Sequence, residues 1–244
     1  MTRAPIPALA PGDRKLEGPV AHYLARVLRL RAGSEFIAFD PAGGTEADAV
    51  VLQTERDAIA VRFGATRPGR AAAPLALTWI QGFAKGDKCD AVVRDATELG
   101  ATRIVIAVTR RSVVKLDDAR TSARLTRWVR IAEEAARQCG RSAAPRVDGP
   151  MAWADALASA GAEGRFCLWE RASQPLAPGL FDALARAAPL AFACGPEGGI
   201  EGEEAASAEA QGWRLASLGP LHLRTETVAA AVLGAVRVWS GLER

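Results

Sequence analysis

The chain has 244 residues, 49% apolar and 24% charged, an ordinary globular composition with ample length to bury a core. No apolar run approaches the roughly 20 residues of a membrane span, and the N-terminus lacks the apolar stretch of a signal peptide. Four scattered cysteines and only two histidines argue against a disulfide framework and against a metal site. We therefore expect a cytoplasmic protein that needs neither a membrane nor a metal.

The net charge of +3 is distributed unevenly along the chain. Residues 85–146 hold 14 Lys and Arg against 8 Asp and Glu, whereas residues 147–244 hold 7 against 12. A basic middle segment suits a polyanionic partner. A solvated, arginine-rich helix face would produce the same pattern, so charge alone leaves both interpretations open.

The first 70 residues predict a small β-rich domain with one helix. Apolar residues at helical spacing indicate a helix over 20–32, followed by three short strands, EFIAFD, AVVLQT and AIAVRF. The intervening PAGGTEAD and ERD are typical of turns. RPGRAAAP at 67–74 is typical of a linker, so we place the domain boundary between residues 70 and 75.

From residue 75 onward, strands and helices alternate. Strands are expected at 75–81, 103–108, 165–170, 190–195 and 213–219. Helices are expected at 87–99, 118–139, within AWADALASA, at 199–212 and at 225–241. Such alternation predicts an α/β fold with a mostly parallel sheet covered by helices on both faces.

A glycine-rich loop, CGPEGGIEGEE at 194–204, joins a predicted strand to a predicted helix. Its main-chain N–H groups would lie at the carboxyl edge of the sheet, where such folds bind ligands. Neither the P-loop pattern nor Gly-x-Gly-x-x-Gly matches, and the carboxylate of Glu197 would repel a phosphate. A neutral or cationic ligand fits better; a tight turn with an acidic first helical turn is the alternative.

A second polar segment, SLGPLHLRTET at 217–227, joins the last predicted strand to the final helix. Thr225 is a plausible N-cap of that helix. Arg224 and Glu226 would place charged groups at the same edge of the sheet. Helix capping accounts for the threonine but not for Arg224.

Basic and polar side chains recur at positions where they could contact phosphates. His22, Arg26 and Arg29 follow helical steps of four and three, which predicts one shared helix face. The other candidates follow strands or end the long helix: Lys85, Arg110, Arg111, Lys115, Arg137, Gln138 and Arg141. A solvated basic face, or a helix end that complements the helix dipole, is the alternative for these groups.

Taken together, these segments resemble the 16S ribosomal RNA uridine-N3 methyltransferases of the SPOUT, or α/β-knot, superfamily. The matching stretches are ARVLRLRAG, FAKGDKCDAVVRDATELG, RRSVVK, EAARQCGR, GPEGGIEGEE and LGPLHLRTET. The most specific pair is GPEGG with the later LG-x-x-x-LRTET. The chain departs from the family pattern at Leu221 and at Asp95, where members usually carry a basic residue.

The resemblance implies a PUA-like β-barrel that grips RNA over residues 1–70, and a parallel sheet with a deep trefoil knot over 75–244. It further implies a homodimer that uses S-adenosylmethionine to methylate N3 of a uridine in 16S ribosomal RNA, within the small ribosomal subunit. The implied cofactor pocket comprises Leu168, Trp169, Glu170, Gly195, Pro196, Glu197, Gly198, Gly199, Leu218, Gly219, Leu223 and Thr225.

The implied reaction assigns roles to two further residues. Uracil N3–H is a weak acid and must lose its proton, so Arg224 is the candidate for stabilising the developing charge on the base. Glu226 is the candidate for orienting Arg224 or for taking the proton. Two alternatives stay open: another SPOUT methyltransferase that acts on tRNA or a ribose 2′-oxygen, and a non-catalytic RNA-binding assembly factor of the same fold.

Overall fold

A computed structural model describes residues 2–41, 43–69, 75–112 and 118–240, so the predicted RNA contact Lys115 lies outside the described residues. The chain divides into two compact units, residues 1–71 with 136–144, and residues 72–135 with 145–244. The segment 136–144, which includes the end of the long helix at 118–139, thus belongs with the N-terminal unit. The domain boundary predicted between residues 70 and 75 also lies outside the described residues.

The N-terminal unit is built on one six-stranded sheet. Its strands are β1 (Arg3–Pro5), β2 (Gly12–Glu17), β3 (Glu35–Asp40), β4 (Thr45–Thr54), β5 (Ala58–Phe63) and β6 (Arg67–Pro68). The strand order is β1-β3-β4-β5-β2, with β6 paired to β4, and only β1–β3 is parallel among these pairs. β4 is longer than predicted, because TEAD, expected as a turn, pairs with β3 and β6. Buried side chains such as Leu24 and Phe36 form the core of this unit.

The helix of this unit is shorter than predicted. It begins as α1 (Gly18–His22) and continues as a π-helical turn, Tyr23–Val27. The chain leaves the helical conformation after Leu28, and Arg29 has a φ of 55°. The prediction that Arg29 shares a helix face with His22 and Arg26 is therefore wrong, although all three side chains are exposed.

The C-terminal unit is built on a second six-stranded sheet, and every pair in it is parallel. Its strands are β7 (Leu77–Gly82), β8 (Arg103–Val108), β9 (Arg146–Ala152), β10 (Gly164–Leu168), β11 (Leu190–Cys194) and β12 (Arg214–Ala216). The order is β12-β10-β11-β7-β8-β9. Central strands β7 and β11 are buried along their whole length, as both-face coverage requires. The predicted parallel α/β sheet is confirmed, while the trefoil knot stays a prediction.

Six helices accompany this sheet in the described residues. They are α2 (Lys88–Glu98), α3 (Asp118–Cys139), α4 (Trp153–Ala158), α5 (Leu176–Ala185), α6 (Gly202–Ala210) and α7 (Thr225–Trp239). The end of α3 belongs to the N-terminal unit. No described helix combines the length and apolar character needed to cross a membrane. The connections that follow β10, β11 and β12 all leave the same edge of the parallel sheet, and they form the site described next.

Candidate active site

A cavity of about 740 Å³ opens at the carboxyl ends of β10, β11 and β12. Three chain segments supply most of its lining: residues 168–170, 194–199 and 216–226. These segments contain every residue that the sequence predicted for a cofactor pocket, together with Arg224 and Glu226. The structure thus brings together in one cavity predicted site residues that lie up to 58 positions apart in the chain, from Leu168 to Glu226.

The glycine loop is tightly folded against the neighbouring strands. Gly199 adopts a φ of 71° and donates its N–H to the carbonyl of Pro196 at 2.8 Å, which closes a turn. A Cβ atom at this position would stand 3.2 Å from a carboxylate oxygen of Glu170. On the other side, a Cβ at Gly82 would come within 2.5 Å of the Pro196 nitrogen. Glycine is thus required where the loop turns and where β7 approaches it.

The central acid of the loop is neutralised within the chain. The carboxylate of Glu197 accepts the Lys85 backbone N–H at 3.2 Å and lies 3.6 Å from Nζ of Lys88. Burial by itself would raise the pKa of Glu197, but backbone hydrogen bonds and the charge of Lys88 outweigh it and lower the pKa. The negative charge of Glu197 is therefore compensated by groups of the protein, and it does not by itself identify a cationic ligand.

The acids behind the loop form a capping box and bind an arginine. Glu201 and Glu204 cap the start of α6 reciprocally, and the buried Glu204 also accepts the Arg110 backbone N–H at 2.9 Å. The Arg110 guanidinium bonds Glu201 at 3.2 Å, and Arg111 donates to the Gly198 carbonyl at 2.7 Å. Both arginines, predicted as RNA contacts, therefore hold the glycine loop, although their side chains stay partly exposed.

The start of α7 differs from the prediction. Arg224, not Thr225, occupies the N-cap position, and no side chain caps the helix. The buried Thr225 hydroxyl instead bonds the Gly195 carbonyl at 2.8 Å and Nε2 of Gln81 at 2.8 Å. Sequence reasoning did not single out Gln81, although it lies two residues before the FAKGDKCDAVVRDATELG stretch. The available signal was a lone amide at the end of an otherwise apolar strand, since buried amides are normally hydrogen-bonded.

Two residues that line the cavity each have a buried polar atom with no hydrogen-bond partner in the described part of the chain: Nε1 of Trp169 and Oε2 of Glu226. Because buried polar atoms are normally paired, this donor and this acceptor suit a polar ligand. The side chain of Arg224 is exposed at the cavity and has no hydrogen bond or ion pair to any described residue. No cluster of three potential metal-binding side chains occurs within the described ranges.

The remaining RNA-contact candidates occupy different surroundings. Lys85 is exposed in the C-terminal unit and lies outside the cavity lining. In the N-terminal unit, Arg137 is half-buried and Gln138 exposed at the end of α3. Arg141 is only 7% exposed, unlike the other candidates in this unit, and its contact with phosphate stays a prediction. The neighbouring Ser142 is buried as well, and its hydroxyl donates to a carboxylate oxygen of Glu46.

Comparisons with known proteins agree with this architecture. A model of an RNA methyltransferase domain matches residues 71–237, and a model of an RNA methyltransferase PUA domain matches residues 16–64. Ribosomal RNA small subunit methyltransferase E of Mycobacterium bovis is 32% identical over 229 residues, which cover 91% of this chain and 85% of that protein. The Bacillus subtilis protein of the same name is 29% identical over 234 residues, or 94% and 91% of the two chains.

A solved structure extends the comparison to the whole fold. The Neisseria gonorrhoeae ribosomal RNA small subunit methyltransferase E, bound to S-adenosylmethionine, is 26% identical. It superposes with a TM-score of 0.85 over 98% of both chains. Both units of the present chain thus have counterparts in one solved protein.

Proposed function

Because this chain belongs to the RNA methyltransferase family that includes ribosomal RNA small subunit methyltransferase E, we propose that it methylates N3 of a uridine in 16S ribosomal RNA, using S-adenosylmethionine. The family resemblance inferred from the motifs is confirmed, as is the PUA-like N-terminal domain. The observation that carries the proposal is the single cavity that unites the glycine loop with Arg224 and Glu226.

The cavity has groups that suit S-adenosylmethionine. Among the described residues, the indole N–H of Trp169 and Oε2 of Glu226 have no hydrogen-bond partner and are a donor and an acceptor for a ligand. The glycine loop adds main-chain groups at the cavity wall. When bound, the cofactor supplies an electrophilic methyl group. Residues of all three lining segments would hold it, so that its position depends on how these segments are fixed to one another.

Arg224 and Glu226 supply the chemistry toward the uracil. The Arg224 guanidinium, exposed and unpaired among the described residues, would stabilise negative charge on the O2/O4 edge of the base as N3 loses its proton. The unpartnered carboxylate oxygen of Glu226 would accept that proton or orient Arg224. N3 lies on the Watson–Crick edge, so the target base must be unpaired or flipped out.

We also propose that the active form is a homodimer that acts on the small ribosomal subunit in the cytoplasm. Exposed His22, Arg26 and Arg29 on the N-terminal unit, with Arg137 and Gln138, are the proposed phosphate contacts there. Light scattering would test the dimer. A comparison of methylation rates on naked 16S RNA and on isolated small ribosomal subunits would identify the substrate. Activity on tRNA alone would contradict the proposal.

The decisive experiment is mass spectrometry of 16S RNA fragments from a strain that lacks this protein. We expect one N3-methyluridine to disappear, and to return on complementation with the wild-type chain but not with Arg224→Ala. Calorimetry must show that Arg224→Ala still binds S-adenosylmethionine. An unchanged methylation pattern in the deletion strain would refute the function, and wild-type methylation by Arg224→Ala would remove this residue from the mechanism. No cofactor binding by the wild type would favour a non-catalytic RNA-binding factor.

A further inference from the structure

The side chain of Gln81 is fully buried at the carboxyl end of β7, between the glycine loop and the start of α7. It does not line the cavity. Its Nε2 donates to the Thr225 hydroxyl at 2.8 Å and to the Gly195 carbonyl at 3.2 Å, and lies 3.0 Å from the Gly82 carbonyl. One buried amide therefore connects two of the segments that line the cavity.

The orientation of this amide is fixed by its neighbour on the same strand. The indole N–H of Trp79 donates to Oε1 of Gln81 at 3.2 Å, and Trp79 is itself fully buried. An indole nitrogen can only donate, so the amide atom that faces it must be the oxygen. The NH₂ group must then face the loop and the helix, where it finds acceptors.

The hydrogen bonds form a closed set. Thr225 accepts from Gln81 and donates to the Gly195 carbonyl at 2.8 Å, which is the same carbonyl that Gln81 contacts. Arg224 and Glu226 directly flank Thr225 in the chain. The position of both side chains relative to the glycine loop is thus set through these three bonds.

We propose that Gln81 is a positioning residue for methyl transfer: it holds the start of α7, and with it Arg224 and Glu226, in register with the glycine loop. The inference rests on the proposed function, because alignment of the two segments matters only if methyl group and base meet there. Misplacement of reacting groups by about 1 Å can cost on the order of a hundredfold in rate.

Two substitutions separate hydrogen bonding from packing. Gln81→Met keeps the length and volume of the side chain but removes every hydrogen bond, and leaves the Thr225 hydroxyl and the Gly195 carbonyl less satisfied. Gln81→Glu keeps the shape, but its carboxyl group has one O–H donor when protonated and none when ionised, so it cannot donate to both Thr225 and Gly195 as the amide does. Ile80→Val is the matched control, because Ile80 is a fully buried neighbour on β7 that packs into the apolar core.

We expect both Gln81 variants to lower kcat by about ten- to a hundredfold, with KM for RNA within about twofold of wild type. Ile80→Val should keep kcat even where its melting temperature falls. A kcat of either Gln81 variant equal to that of the wild type would overturn the inference. If the Gln81 variants do not fold, Thr225→Val compared with Thr225→Ser tests the same bonds, and equal kcat values for those two would overturn it.

Hydrogen exchange gives a readout that needs no activity. Amides of Gly195, of residues 197–199 and of residues 225–228 should exchange faster in Gln81→Met than in Ile80→Val, because the bonds that join the two segments are lost. Equal exchange in these segments would overturn the inference even if the enzyme were active. If the wild type transfers no methyl group to 16S RNA but Gln81→Met still exchanges faster than Ile80→Val, the proposed function is refuted, and Gln81 keeps only the structural role of joining the two segments.

Discussion

Substitution of Gly199 by alanine should weaken cofactor binding through the backbone. Gly199 has a φ of 71°, in the left-handed region, and its N–H closes the turn onto Pro196. An added Cβ would also stand 3.2 and 3.3 Å from the two carboxylate oxygens of Glu170. Because Glu170 is exposed, its side chain can move aside, and the backbone strain is the main cost.

The left-handed conformation costs an L-residue about 1–2 kcal/mol. The loop can escape this strain by leaving its turn, which distorts the cavity wall. We therefore expect Gly199→Ala to bind S-adenosylmethionine about 5- to 30-fold more weakly, the factor that corresponds to this energy. Isothermal calorimetry on the purified protein measures the change directly.

Gly202→Ala is the matched control for this experiment. Gly202 is the first residue of α6, its φ is not positive, and a Cβ there would meet nothing within 4 Å. Alanine should leave cofactor affinity unchanged and raise the free energy of unfolding by up to about 1 kcal/mol. Wild-type affinity in Gly199→Ala would refute the argument that the left-handed turn shapes the site, and an equal loss in Gly202→Ala would show that the loop tolerates no added methyl group.

Three further predictions concern groups around the two sheets. Arg111→Ala loses the hydrogen bond from Arg111 to the Gly198 carbonyl of the glycine loop. Because this side chain is partly exposed, we expect cofactor binding to lose about 1 kcal/mol, which is roughly fivefold weaker binding by calorimetry. Intact cofactor binding with weaker RNA binding would make Arg111 an RNA contact instead. Burial would raise the pKa of Glu46, but hydrogen bonds and charges from Arg3 and Arg67 outweigh it and lower the pKa. The ionised Glu46 therefore stabilises the folded protein above about pH 4.3, the ordinary pKa of a glutamate, and this stabilisation is lost as the pH falls further. Thermal unfolding of wild type and of Glu46→Gln should therefore converge at low pH, and a gap that persists would contradict this. Burial raises the pKa of Cys194 to about 12, so at pH 8 iodoacetamide should label the less buried Cys139 first, as mass spectrometry would show.

Apolar patterning predicted the buried elements well and the edges poorly. The bounds of β8 and α3 agree with the prediction, because a continuous apolar run and a long amphipathic repeat mark them. β2 was missed, since it lies at an edge of its sheet and buries only Leu16. β9 was missed as well: it is an edge strand of the parallel sheet and contains Gly149-Pro150, a pair that is typical of a turn. Similarly, Pro178-Gly179 hid α5, whose first turn accepts the proline.

The sequence by itself determined the alternation of strands and helices, and its resemblance to a known family identified the segments that line the cavity, because motifs such as GPEGG and LRTET are local in the chain. Only the tertiary structure decided what several polar groups bind. Arg111 meets Gly198 across 87 positions and Gln81 meets Thr225 across 144, so no local pattern could reveal that these residues hold the site together. Hydrogen-bond partners of this kind depend on which strand ends come together, and the order of strands in the parallel sheet sets that.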